Sequence, residues 1–393
     1  MKLSSRSKAY IIPEYSLTGD LISFLTCNLQ YRYQNKGTLP PSTPIQLWFG
    51  EFIHGVMEEA YLKWKNEKPS FPWDWESNIR CIEKIIDYRL RARGLYAPTN
   101  LYCTKYKKYE KSIPPGNDHP YQKIASGRTE RAINILGPDL FPLIDSAEVL
   151  IKGTRKMPNY KEGQSRSNYY GINGVIDVIS SLKISENKNN GIIEYLNNNE
   201  EFHEIVHSID SDEYEIIIDY KGMKRPSVDS DNWNYHQWQL LTYAWLRSKQ
   251  EDSKPIAAGI IFYLNELLPS TEDLIAIKED INQNRTDVEI GKEDEDKLMN
   301  WDENNEEDNY VYLSKEFMKN RSIRIIPIEE KPILNALEEF DEVVSKIENS
   351  MIKEINGTPI KKAWKGKAEK RTCMACDFKT FCNKMDSKDI TIP

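Results

Sequence analysis

Residues Tyr214-Glu215-Ile216-Ile217-Ile218-Asp219-Tyr220-Lys221 constrain this chain more than any other stretch, because three isoleucines run into an acid, a spacer and a lysine. A β-branched run bounded by polar residues and Gly222 predicts a buried strand. Side chains two apart on a strand share a face, so Asp219 and Lys221 point the same way and Tyr220 enters the opposite layer. With 29% charged residues, acid-x-lysine triplets arise by chance. This one gains meaning from Gly174-Val175-Ile176-Asp177-Val178-Ile179, a second β-branched run with an acid at its centre. An acid inside an apolar strand is costly to bury unless it is paired or holds a metal. As neighbours, the two strands would bring Asp177, Asp219 and Lys221 to one point. There the carboxylates can hold a divalent cation beside an ammonium group, a set able to polarise a phosphodiester and neutralise developing charge.

The 393 residues are enough for one elaborated domain or two, and 39% of them are hydrophobic. The N-terminal Met1-Lys2-Leu3-Ser4-Ser5-Arg6 leads into no apolar leader, and no run approaches the roughly 18 apolar residues of a membrane helix. A cytoplasmic location and no membrane partner are therefore expected. A formal charge of −8 leaves a nucleic-acid partner open, because the local field at a groove matters more than the sum.

Ser16 to Tyr33 predicts a short helix carrying Leu21, Phe24, Leu25 and Cys27, with Thr18 or Asp20 as its cap. Read alone, Cys27 is a buried thiol. A clearer helix runs from Thr43 to about Lys65, with Pro44 at its first position and Gln46 completing a capping box. Gly50, His54, Glu58 and Tyr61 share one of its faces, which leaves open space one turn before the imidazole. Tyr61 to about Ser146 reads as mostly helical. Within it, Lys105-Tyr106-Lys107-Lys108-Tyr109-Glu110-Lys111 interleaves cations with aromatics, a composition suited to phosphate contact and base stacking or to a solvated helix face.

Glu148 to Gly153 reads as the first core strand, followed by the Asp177 strand. Leu182 to Glu213, rich in Asn, Glu and Ser, is expected to be a surface excursion joining two adjacent strands. Asp231 or Asn232 can cap a helix on which Gln239 and Tyr243 lie one turn apart. Pro255 to Asn265 is another buried strand, and the acidic Glu279 to Asp308 is expected to be a mobile loop. A helix over Lys331 to Asn356 and a basic run at Lys361 to Lys367 then lead to Cys373-Met374-Ala375-Cys376-Asp377-Phe378-Lys379-Thr380-Phe381-Cys382. Clustered thiols in a reducing compartment argue for metal rather than disulfide. Cys-x2-Cys alone suits zinc as readily as iron, and three thiolates need a fourth ligand.

This order of elements resembles the RecB-type branch of the PD-(D/E)XK nucleases. More narrowly it is similar to the iron–sulfur subgroup that contains the AddB nuclease domain and the CRISPR-associated RecB-like exonucleases. The resemblance covers about Leu17 to Arg32, Gly50 to Tyr61, Glu148 to Asp177, Glu215 to Leu267 and Cys373 to Cys382. It implies a 4Fe–4S cluster on Cys27, Cys373, Cys376 and Cys382, consistent with all-thiolate ligation. It further implies that His54, Asp177 and Asp219 hold Mg²⁺ or Mn²⁺, with Tyr220 adding its backbone carbonyl. Lys221 takes the place of the catalytic lysine, and Gln239 and Tyr243 match a Gln-x3-Tyr motif that orients substrate. Two features depart from the pattern: Asn28 stands where the subgroup has proline, and the segment between Asp177 and Asp219 is long.

The expected fold is an α/β restriction-endonuclease-like core, a mixed central sheet flanked by helices, with a helical insertion and a C-terminal iron–sulfur staple. Its parts are an N-terminal segment (1–66), the insertion (67–147), the core (148–275), the acidic loop (276–310) and the C-terminal helices with the cysteine motif (311–393). The implied activity is hydrolysis of DNA by an exonuclease acting on single-stranded ends, in repair, recombination or anti-phage defence, with a helicase or other protein as a possible partner. Two rival readings are a non-catalytic DNA- or helicase-binding subunit that keeps the fold, and a zinc-ribbon scaffold.

Overall fold

One long strand organises the sheet. In the computed structural model, described over residues 12–36, 45–97, 120–183, 189–302, 311–367, 372–373 and 376–382, the strands are β1 (Glu14–Ser16), β2 (Ser146–Lys156), β3 (Tyr169–Lys183), β4 (Glu213–Lys221), β5 (Ile256–Tyr263) and β6 (Ile323–Pro327). β2 runs antiparallel along one edge of β3, from Lys156 opposite Tyr169 to Ser146 opposite Ile179. The other edge of β3 is shared end to end: β1 pairs parallel over Gly171–Asn173, and β4 pairs antiparallel over Val178–Lys183. β5 follows parallel to β4, and β6 antiparallel to β5. The mixed sheet is as expected, but β1 precedes the strand taken from sequence as the first. Three residues are too few to display a period.

The helical elements are α1 (Ser23–Thr26), α2 (Asn28–Tyr31), α3 (Ile45–Glu67), α4 (Arg80–Ala92), α5 (Pro120–Leu140), α6 (Gly191–Asn197), α7 (Glu200–Ser208), α8 (Asp231–Ser248), α9 (Thr271–Asn282), α10 (Lys292–Asn300), α11 (Lys315–Ser322), α12 (Glu330–Ile355) and α13 (Ile360–Ala363). Two layers cover the sheet. On one face Val178, Ile216, Ile218, Tyr220 and Phe262 pack with buried residues of α3 to α7. On the other, Ile172, Ile217, Ile261 and Tyr263 pack with the N-terminal segment, α8 and α12. Fully burying such a side chain contributes about 1.5–3 kcal/mol, so the isoleucine run of β4 anchors both layers. A satellite cluster around Leu274, Leu298 and Phe317 joins α9, α10 and α11.

Two expectations are corrected by this packing. The surface excursion of Leu182–Glu213 contains α6 and α7, whose first turns are capped by the side chains of Asn190 and Asn199 and which bury Ile192, Leu196 and Phe202. Asparagine here starts helices rather than loosening the chain. The acidic loop of Glu279–Asp308 contains the end of α9 and all of α10. Leu298 anchors α10 in the satellite core, and Asp294 accepts hydrogen bonds from the N–H and Oγ of Ser314. A smaller correction concerns α8, which is capped by the Ser230 hydroxyl accepting from Trp233 N–H, not by Asp231 or Asn232. Thr43, Pro44, the Gln46 side chain, Cys103 and the basic-aromatic segment 105–111 lie outside the described residues. Among the described residues, no helix is long and apolar enough to cross a membrane.

Candidate active site

The sheet is irregular where the acids sit. β2 and β3 keep one register throughout, with Ala147 opposite Val178 and Val149 opposite Ile176, yet the pair between them, Glu148 and Asp177, is missing from the ladder. Glu148 takes φ of +52°, a left-handed conformation uncommon in a residue other than glycine. On the opposite edge, β4 leaves β3 after Ile218 pairs with Val178. β3 also changes face here: Ile172 and Ile176 pack in the α8 layer, whereas Val178 and Leu182 pack in the α3 layer. Residues of the same parity stay on one face of a regular strand, so the backbone twists through Asp177. Tyr220 N–H, freed from the ladder, donates to Asp177 Oδ2 at 2.7 Å.

His54 approaches from α3. Its Nδ1 lies 3.3 Å from Asp177 Oδ2, and the Asp177 side chain is only 11% exposed. Gly50, one turn earlier, has open space where a Cβ would stand. His54, Glu148 and Asp177 each offer a ligand atom within 4.8 Å of the others. Burial pushes the imidazole down, but Asp177 beside it wins and raises His54 to about 9. Burial also pushes Asp177 up, and this is outweighed by His54, Lys221 and the Tyr220 N–H, which hold the carboxyl below its usual range. Glu148 is pushed up to about 7 by burial, then by Asp177 and Glu58. Sequence did not single out Glu148 as a ligand candidate, although an acid between Ala147 and Val149 in a strand was the available signal.

The neighbouring half is a closed network on β4 and α8. Asp219 and Lys221 follow Ile217 in parity and so face α8, while the Tyr220 side chain is buried in the other layer, as expected. Lys221 Nζ lies 2.7 Å from Asp219 Oδ2, an ion pair in which that buried oxygen has no hydrogen bond of good geometry. Lys221 Nζ donates to Gln239 Oε1 at 2.8 Å. Gln239 Nε2 donates to Asp219 Oδ1 and to the Tyr243 hydroxyl, both at 3.2 Å. Burial pushes Asp219 up against the opposing pull of Lys221, with Asp177 adding to the rise. The Tyr243 ring occupies the space over Gly174, where an added Cβ would meet it at 2.5 Å. The glycine before the Asp177 strand thus admits the residue that holds Gln239.

Cys27 belongs to the apolar layer that contains α8. Cys27 is buried, and the backbone N–H of Lys367 lies 3.5 Å from its Sγ. Cys373 Sγ reaches the carbonyl of the same Lys367 at 3.5 Å. Burial pushes the Cys376 thiol up, and nearby Cys27 and Cys373 add to the rise. Cys382 packs against the apolar layer that contains Cys27. Among the described residues, no three of these sulfurs lie within 4.8 Å of one another. Cys81 is exposed on α4.

Residues 205–383 match the PD-(D/E)XK nuclease superfamily. The match takes in Asp219, Lys221, Gln239, Tyr243 and the three C-terminal cysteines, and it stops short of His54, Glu148, Asp177 and Cys27. No curated protein matches the chain. The matched segment therefore contains the lysine half of the site, and the remaining ligand candidates are reached through α3, β2 and β3.

Proposed function

We propose that this protein is a metal-dependent nuclease that hydrolyses DNA phosphodiesters. The observation that carries the reading is the His54, Glu148 and Asp177 ligand set beside the Asp219–Lys221 pair. Carboxylates crowded together with an imidazole suit a hard divalent cation, Mg²⁺ or Mn²⁺. Burial, and then repulsion from Asp177 and Glu58, raises the Glu148 carboxyl, and a cation would relieve the repulsion. His54, Glu148 and Asp177 would hold the ion, with Asp219 and the Tyr220 carbonyl as further oxygens. Such an ion supplies a polarised phosphoryl oxygen and a water of lowered pKa. Lys221, a compact ammonium held by Gln239, is positioned to stabilise the attacking water or the charge on the phosphoryl group. Gln239 and Tyr243 fix where that ammonium stands. The test is cleavage of end-labelled single- and double-stranded DNA and of RNA by anaerobically purified protein with Mg²⁺ or Mn²⁺. Cleavage stopped by a chelator is expected, and binding without cleavage under either metal would leave only the binding-subunit reading.

The narrower reading is an exonuclease acting on single-stranded DNA ends in repair, recombination or defence. Besides the resemblance, it has the support of a groove of about 520 Å³ between α3, α4 and α5. Trp75 and Tyr88 line it with Arg80, Lys84, Arg91 and Lys123 and with Glu83, Asp87 and Glu130, Arg80 being paired with Glu83 and Arg91 with Asp87, and Tyr88 is 72% exposed. Exposed rings among cations suit stacked bases and phosphates.

A 4Fe–4S cluster on Cys27, Cys373, Cys376 and Cys382 is part of the same proposal. Its support is that Lys367 touches both Cys27 and Cys373, and that Cys376 feels both thiols. The cluster would tie the first helical turns to the C-terminal loop, and ligand binding would then contribute folding energy. Iron, acid-labile sulfide and visible absorbance in wild type and Cys81→Ala, all lost in Cys27→Ala and Cys382→Ala, are expected. Zinc without iron would overturn the cluster and leave the nuclease untouched.

A further inference from the structure

The chain has only five histidines, and two of them, His203 and His207, stand one turn apart on the exposed face of α7 with their Nε2 atoms 3.2 Å apart. We infer that this pair is a chelate for a borderline divalent cation of the zinc, nickel or copper class, separate from the carboxylate site on the sheet.

The geometry is already that of a ligand pair. An ion about 2.0–2.1 Å from each nitrogen would be bracketed at an angle of about 100°, close to tetrahedral. Both rings then carry their proton on Nδ1 and turn the Nε2 lone pairs toward the ion. Glu200 and Glu204 lie three residues before His203 and His207 on the same side of the helix, so a carboxylate and water are at hand to complete the shell. Imidazole nitrogen selects zinc, nickel and copper, whereas Mg²⁺ and Mn²⁺ prefer oxygen. The two sites therefore sort different metals.

The rest of α7 keeps the pair in place. Asn199 caps the helix by accepting from Phe202 N–H at 2.8 Å. Phe202, between the capping residue and the first imidazole, is fully buried and packs edge-on against Tyr214, the second residue of β4. A nine-residue helix is marginal alone, so this anchoring holds the imidazoles one turn apart before any ion arrives. A hydrogen bond between two neutral rings accounts for the 3.2 Å separation without metal, and the two accounts differ in what zinc does.

The experiment is a calorimetric titration of the full-length protein with zinc alone, in an Asp177→Ala background that disables the carboxylate site. His203→Ala and His207→Ala are compared in that background; alanine suits a helix interior, so both should fold. The expected result is one zinc equivalent fewer in each, with affinity at that site lower by about tenfold or more, the least expected when a ligand itself is lost. A zinc-induced rise in thermal midpoint should disappear with it. The same zinc count and affinity in all three proteins would overturn the site, and a loss in only one of the two variants would overturn the chelate. Cleavage in Mg²⁺ by His207→Ala with Asp177 intact is expected to equal wild type whether or not the nuclease reading holds.

Discussion

The two halves of the candidate site are assembled in opposite ways. Asp219, Lys221, Gln239 and Tyr243 form a network in which the acid has its cation, the cation has its acceptor and the amide has a hydroxyl to rest on. His54, Glu148 and Asp177 leave two acids and an imidazole facing one another, in a ladder missing the pair that would have been Glu148 and Asp177. One half is neutralised by the protein itself. The other gathers two carboxylates and an imidazole, the ligands of the proposed metal site.

The largest effects should come from removing what each half contributes to chemistry. Asp177→Ala and Lys221→Ala are each expected to lower kcat by about 10³-fold or more, the scale of losing a key electrostatic group. They should diverge in stability. Lys221→Ala leaves Asp219 buried without its cation and should lower the thermal midpoint at neutral pH. Asp177→Ala should lower it less, because it loses the pairing with His54 and Lys221 but relieves the repulsion that raises Glu148. Equal destabilisation by the two would erase the contrast.

Glu148→Gln probes the crowded half more gently. It is expected to cost about 10- to 100-fold in metal affinity or activity. At pH 8 it should raise the thermal midpoint of the metal-free protein, because a carboxyl pushed up to about 7 is disfavoured when ionised. The upward shift caused by Mg²⁺ should shrink in step, as differential scanning calorimetry would show.

Tyr243→Phe removes only the hydroxyl that steadies Gln239. A drop in kcat of about tenfold with unchanged metal affinity is expected, because the lysine loses its placement rather than its charge. A change in metal affinity would mean that the halves are coupled more tightly than their hydrogen bonds indicate.

The smallest effect on cleavage should come from His236, buried on α8 with Nδ1 2.9 Å from the Tyr263 hydroxyl. Burial, then Lys221 and Arg324, push its imidazole down from 6.5 to about 3. Between those values only the unfolded chain takes up the proton. The stability His236 contributes is therefore fully present above pH 6.5 and is lost as pH falls toward 3. His236→Gln should remove roughly 2–5 °C of the acid-induced fall in thermal midpoint between pH 7.5 and pH 5.

Much of the closed half was legible, because Ile216 to Ile218 announce a strand and Asp219 and Lys221 then share its face. Gln239 and Tyr243 could be placed because helical spacing alone puts them together. Glu148 could not be assigned, since its role depends on lying across from Asp177 in a register that sequence does not state. The helices α6 and α7 were hidden by composition: asparagine and glutamate outnumber Ile192, Leu196 and Phe202, although these are what the core holds. β1 is too short to carry any pattern. The cysteine spacing was plain to read, whereas the contact of Tyr33 with Phe378 and Phe381, which brings that loop to the N-terminal segment, was not.

The seat of β1 against β3, continued by the Tyr15 hydroxyl donating to Glu348 across 333 residues, has a consequence for how the molecule is made. A ribosome delivers the first strand long before the helix that will cover it. At about 5–20 residues per second, Tyr15 waits tens of seconds for that acceptor. Throughout that interval Leu17, Leu21 and Phe24 have no α12 to lie against. Until α12 emerges, β3 and α8 can cover only part of that segment, and the last long helix completes its burial.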